Sequence, residues 1–148
     1  MYLMCVSLNY HQLPNKLREK FSFSADEIPK ANRLLNAEQS ILENLLISTC
    51  NRTEIYAVVD QVHTGRYYIK RFLAEWFHYT VEEFNQYVSI TTKDDAASHL
   101  FRVIVGLDSL IKGEPQILGQ MKNAFQVATD QGTTGVILNH LFRQAITF

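Results

Sequence analysis

The chain has 148 residues, 47% hydrophobic and 20% charged, which suits one folded domain with a real core and excludes a disordered or low-complexity chain. Lys and Arg number 14 against 15 Asp and Glu, so a net charge of -1 exerts no general pull toward nucleic acid or membrane, and any nucleic-acid contact must be local. The two cysteines, Cys5 and Cys50, stand far apart without a CxxC pair or a His cluster, which indicates neither a disulfide framework nor a zinc site and fits a reducing cytoplasm.

The apolar opening Met1 to Leu8 lacks a basic leader, so Tyr2 to Tyr10 reads as a first strand, and no run in the chain reaches membrane-spanning length. Pro14 suits the first turn of a short helix through Leu17 to Phe21. Ser24-Ala25-Asp26-Glu27 has the form of a capping box, and Ile28, Ala31 and Leu35 follow on one face of a helix ending near Ala37. The runs Ile41 to Ile47 and Ile55 to Val59 are short and aliphatic, as buried strands are. From Gln61 a longer helix carries Ile69, Leu73 and Trp76 on one stripe with Phe72 beside it. Thr80 to Glu83 caps a further turn, and Tyr87 to Thr91 is a last strand. The order βαββαβ predicts an α+β fold: a ferredoxin-like antiparallel sheet with helices on one face over residues 1–92.

Residues 93–148 read as a helical subdomain. Leu100, Phe101, Ile104 and Val105 form an apolar face, and at about 100° per residue His99 is expected on nearly the opposite side. Such a histidine suits either proton transfer or an ordinary surface position. The next helix is expected to begin at Pro115, with Ile117, Met121, Ala124, Phe125 and Ala128 as its core stripe. Gln116 and Gln120 fall four apart with Asn123 following, which makes either a solvated face or a pair of amides that read a small polar ligand. From about Thr134, Ile137, Leu138, Leu141, Phe142, Ala145 and Ile146 build a last stripe that runs to Phe148 without Gly, Pro or a polar cap, and the expectation is an N-terminal part of a longer protein.

The chemistry concentrates where the two central strands meet, at Ser48-Thr49-Cys50-Asn51-Arg52-Thr53-Glu54. Cys50 at a strand end is either an inert packed thiol or a reactive one whose thiolate Arg52 stabilises. Gly106, Gly113 and Gly119 make neither GxGxxG nor GxxxxGK[ST], no Gly-x-Ser-x-Gly elbow occurs, and the carboxylates are scattered.

Ser48 to Tyr56, His99-Leu100-Phe101-Arg102, Gly106-Leu107-Asp108-Ser109 and Gly113-Glu114-Pro115-Gln116-Ile117-Leu118-Gly119-Gln120, in this order, resemble the N-terminal catalytic domain of the glutamyl-tRNA reductase family. The resemblance extends to Arg18-Glu19-Lys20-Phe21 and Asn139-His140-Leu141-Phe142. It implies the first step of tetrapyrrole synthesis, in which the glutamyl ester on tRNA is reduced with NADPH to glutamate-1-semialdehyde through a cysteine thioester. It implies Cys50 as nucleophile and His99 as its helper, with Thr49, Asn51, Arg52, Ser109, Glu114, Pro115, Gln116 and Gln120 binding substrate. The NADPH site and a dimerising helical domain are expected beyond this chain, so the implied partners are glutamyl-tRNA, a second copy in a homodimer, and the next enzyme, glutamate-1-semialdehyde aminomutase. One stretch departs from the family: a usual Gly-Leu-Asn-His-Lys-Thr-Ala-Pro reads here Ser7-Leu8-Asn9-Tyr10-His11-Gln12-Leu13-Pro14, and no role is carried onto Tyr10 or Gln12. A module that keeps the fold and binds tRNA or a protein partner without chemistry is the alternative.

Overall fold

The strand and helix periods of the sequence assemble, in a computed structural model that describes residues 1–8, 10, 13–106 and 116–147, into a single sheet with helices on both faces. The elements run β1 (Tyr2–Leu8), α1 (Asn15–Lys20), α2 (Ile28–Asn36), β2 (Ile41–Ser48), β3 (Thr53–Val59), α3 (Val62–Phe77), α4 (Val81–Asn85), β4 (Val88–Thr92), α5 (Lys93–Ile104), α6 (Ile117–Asp130) and α7 (Val136–Ile146). The four strands lie in the order β2-β3-β1-β4 and every neighbouring pair is antiparallel. The fold is thus mixed α and β with a four-stranded antiparallel sheet, as the order of periods predicted.

Alternation of side chains along each strand splits the core in two. Met4, Val6 and Leu8 of β1 join Leu46, Ile55, Ala57 and Val59 under α2 and α3. Cys5, Leu45, Ile47, Tyr56 and Val58 point the other way, under α5, α6 and α7. Because both faces are covered, every residue of β3 is buried, which accounts for its unbroken apolar run. Gly65 allows α3 to lie against this strand, since a Cβ there would come 2.5 Å from Cγ1 of Val59.

The local signals for helix starts are realised to different degrees. Thr80 and Glu83 make both bonds of a capping box, Glu83 N–H to Thr80 Oγ1 at 3.2 Å and Thr80 N–H to Glu83 Oε1 at 3.0 Å. At the start of α2 Glu27 accepts the Ser24 N–H at 2.9 Å, but residues 25–27 form a turn and the helix begins at Ile28. The described part of α6 begins at Ile117, and the expected start at Pro115 lies outside the described residues.

One face differs from the expectation. The buried residues of α5 are Ala96, Leu100 and Val103, whereas Val105 is 53% exposed. Spacings of three and four place His99 beside Ala96 and Val103, at the edge of the buried stripe and not opposite it. Ile104 and Val105 lie at the end of the helix, so their apolar side chains do not mark its buried stripe. Among the described residues, no helix is long and apolar enough to cross a membrane.

Candidate active site

The connection between β2 and β3 is a tight turn that pins its own backbone. Thr49 N–H donates to the Arg52 carbonyl at 2.7 Å, and Thr49 Oγ1 accepts from the N–H groups of Asn51 and Arg52, each at 3.2 Å. Cys50 rides on this turn and is exposed, while Cys5 is the packed cysteine of the chain. Beneath the turn, Tyr10 is buried, and its hydroxyl lies 2.9 Å from Thr53 Oγ1, which lies 2.8 Å from Ser48 Oγ. Ser48 Oγ also accepts the Phe23 N–H at 3.0 Å, so this chain of hydroxyls ties the ends of both strands to the segment before α2. Burial raises the Tyr10 phenol above its ordinary range, and its bonds to Thr53 and Ser48 partly offset that rise. Tyr10, Arg18, Phe23, Ser48, Thr49 and Cys50 line a cavity of about 420 Å³.

A larger cavity of about 690 Å³ opens on the other side of Thr49, lined among others by Ile28, Ile47, Gln116, Gln120 and Asn123. Ser48 and Thr49 line both cavities, so the amide-bearing side of α6 faces the turn that carries Cys50. Three side chains singled out at two distant points of the sequence, Thr49, Gln116 and Gln120, thereby meet around one space.

Behind the turn sits a buried carboxylate that sequence reasoning passed over. Glu54 lies one residue into β3 with its side chain 2% exposed, and four groups converge on it. Ser7 Oγ donates to Oε2 at 2.8 Å, and Tyr56 Oη donates to Oε1 at 3.0 Å. Arg52 Nη1 approaches Oε2 at 3.4 Å and His99 Nε2 at 2.5 Å. Desolvation pushes the Glu54 carboxyl up, but the hydrogen bond and charge of His99, with Arg52 and Ser7, outweigh it and hold the group below the ordinary carboxylate range. A signal did exist, because an acid inside an otherwise apolar strand needs a cation or donors if it is buried. The same desolvation, with Glu54's charge next in weight, lifts the neighbouring Cys5 thiol well above its usual value.

The sequence family described as glutamyl-tRNA(Glu) reductase, N-terminal domain, matches residues 6–148. The chain belongs to this family. Curated glutamyl-tRNA reductases share its sequence along its whole length: one from Limosilactobacillus reuteri (strain DSM 20016) is 79% identical over 148 residues, covering 100% of this chain and 35% of the relative. One from Priestia megaterium is 52% identical over 147 residues, covering 99% of this chain and 33% of the relative. The solved structure of glutamyl-tRNA reductase from Methanopyrus kandleri superposes with a TM-score of 0.73 at 30% identity, over 98% of this chain and 32% of that one. The chain therefore spans about a third of the length of the glutamyl-tRNA reductases it matches.

Among the residues expected from the glutamyl-tRNA reductase resemblance, Cys50, Thr49 and Asn51 share the turn, Gln116 and Gln120 line the cavity next to it, and Arg52 and His99 meet on Glu54. Ser109, Glu114 and Pro115 lie outside the described residues, as do Asn9, His11 and Gln12 of the departing stretch. The sequence at residues 9–14 and 60–61, which follow β1 and β3, contains no glycine.

Proposed function

We propose that the chain is the catalytic part of a glutamyl-tRNA reductase, the enzyme that reduces the glutamyl group of glutamyl-tRNA to glutamate-1-semialdehyde in the first step of tetrapyrrole synthesis. The observation that carries the reading is the exposed Cys50 on a pinned turn whose Thr49 also lines the cavity of Gln116 and Gln120, in a chain whose family match runs from residue 6 to residue 148. We read the order β2-β3-β1-β4 as ferredoxin-like, with residues 1–92 presenting Cys50 and residues 93–148 as the helical subdomain that closes the substrate cavity.

In this reading the Cys50 thiolate attacks the glutamyl ester carbon, a C–S bond forms, and the bond to the ribose oxygen breaks. A thiolate suits both halves, since it attacks well and leaves well. His99, its ring oriented by Glu54, donates the proton that the departing ribose oxygen takes up or polarises the carbonyl. Thr49, Asn51, Gln116 and Gln120 bind the amino acid, the amides accepting from its ammonium and donating to its carboxylate. Arg52 has the planar fork for a carboxylate grip. Ser109, Glu114 and Pro115 complete the set. NADPH would supply the hydride for the reduction; no GxGxxG run occurs in this sequence, and its site is read as lying in another part of the enzyme. Soluble, cytoplasmic action, a homodimer and hand-over to glutamate-1-semialdehyde aminomutase accompany the reading.

The test is mass spectrometry of the folded chain mixed with glutamyl-tRNA. A glutamyl adduct on Cys50 is expected, without semialdehyde. Tight tRNA binding with no adduct would instead favour a module that binds without chemistry.

A further inference from the structure

The buried Cys5 thiol takes no part in the chemistry above, yet it lies against the Glu54 cluster. Its Sγ, a carboxylate oxygen of Glu54 and a ring nitrogen of His99 all lie within 4.8 Å of one another. The three come from β1, β3 and α5, and the β1–β3 register sets two of them side by side by pairing Ser7 with Glu54 and Cys5 with Tyr56. We propose that Cys5, Glu54 and His99 form a site for a divalent cation of the zinc class, with a fourth position for water.

The donor set favours such a cation. A thiolate, an imidazole and a carboxylate together suit zinc and its neighbours, whereas magnesium and calcium take oxygen ligands. The size also fits. Bonds of about 2.0–2.3 Å from a tetrahedral zinc place its ligand atoms roughly 3.4–3.7 Å apart. The present triangle, with sides up to 4.8 Å and the His99–Glu54 side at 2.5 Å, reaches that shape by shifts on the order of an ångström. The supporting groups are in place as well: Ser7 and Tyr56 hydrogen-bond the Glu54 carboxylate and fix its orientation.

Cation binding needs no electron transfer. The Cys5 thiol proton and any proton on the bound ring nitrogen leave to water, and the new thiolate charge offsets the repulsion from Arg52 beside Glu54. Entry is on the His99 side, whose side chain is 13% exposed against 2% for Glu54. The proposal shares His99 and Glu54 with the reductase reading, but it is read by metal binding and not by turnover, so the two can fail separately.

The probe is cobalt(II) added to the chain carrying Cys50→Ser, which leaves Cys5 as its one thiol. A thiolate-to-cobalt charge-transfer absorption is expected, displaced by stoichiometric zinc. Adding Cys5→Ala should abolish the band with the far-ultraviolet circular dichroism unchanged. Adding His99→Gln instead, which leaves the strand pair intact, should keep the band but weaken binding by more than the roughly 10- to 100-fold that loss of an outer-shell partner costs. No thiolate band with Cys50→Ser alone, or a band whose affinity is unmoved by His99→Gln, overturns the proposal. If Cys5→Ala fails to fold, the His99→Gln comparison decides it alone.

Discussion

Oε2 of Glu54 lies 2.5 Å from Nε2 of His99, and this contact joins β3 to α5 directly behind the turn that carries Cys50. The carboxylate is buried and charged because His99, Arg52 and Ser7 together compensate its lost hydration. The pair therefore has consequences for stability as well as for chemistry.

The first concerns pH. Glu54 has a folded-state pKa below that of an unfolded glutamate, about 4.3, so its stabilisation is complete above that value and is lost as pH falls through the folded value. Urea midpoints of the parent chain and of Glu54→Gln, taken from about pH 3 to pH 7, should differ most near neutrality and converge at the acid end. A difference that stays constant over the range would mean that folding does not lower the Glu54 pKa.

The second tests the proposed roles of Cys50 as nucleophile and His99 as helper. Cys50→Ser replaces a thiol by a hydroxyl that is almost wholly protonated near neutrality, so the glutamyl adduct should vanish while tRNA affinity is unchanged. His99→Asn should still form the adduct, slowed by roughly a hundredfold to ten-thousandfold, the range for losing one general acid or base. Single-turnover time courses of the two variants provide the comparison. Adduct on Cys50→Ser, or an unchanged rate in His99→Asn, removes the respective role.

The third rests on Glu43, a buried acid in β2 that serves as the N-terminal cap of α7. Its carboxylate accepts from the N–H groups of Gly135 at 2.7 Å, Leu138 at 2.9 Å and Ile137 at 3.3 Å. These bonds satisfy donors that a helix start leaves open and place a negative charge at the positive end of the helix. Glu43→Ala should lower stability by about 1.5–3 kcal/mol, the range for hydrogen bonds to a charged group, and Glu43→Gln by about 1 kcal/mol. Denaturant titration reads both, and equal losses would show that charge adds nothing to the cap.

A fourth tests the contact of α3 with the sheet. In an exposed helix Gly65→Ala would stabilise by about 1 kcal/mol. Here the added carbon meets the side chain of the fully buried Val59 at 2.5 Å, and overpacking costs about 1–3 kcal/mol, so the net change should be a loss. In a Val59→Ala background the same Gly65→Ala step should cost less, which a double-mutant cycle reads. A more stable single variant would show that α3 can shift away from β3 at little cost.

The sequence by itself determined whatever depends on near neighbours. The strand and helix periods, the Thr80–Glu83 capping box, the Ile69 and Leu73 stripe of α3 and the Thr49–Arg52 motif are set by residues within a few positions of one another, and each is found in place. Tertiary structure alone decided the partnerships of polar groups. Glu43 finds Gly135 from 92 positions away and His99 finds Glu54 from 45, distances over which strand register and helix packing, not spacing, choose the partner. Cys5 looked like an isolated cysteine for the same reason: only the pairing of β1 with β3, and α5 laid across them, brings its sulfur to a carboxylate and an imidazole.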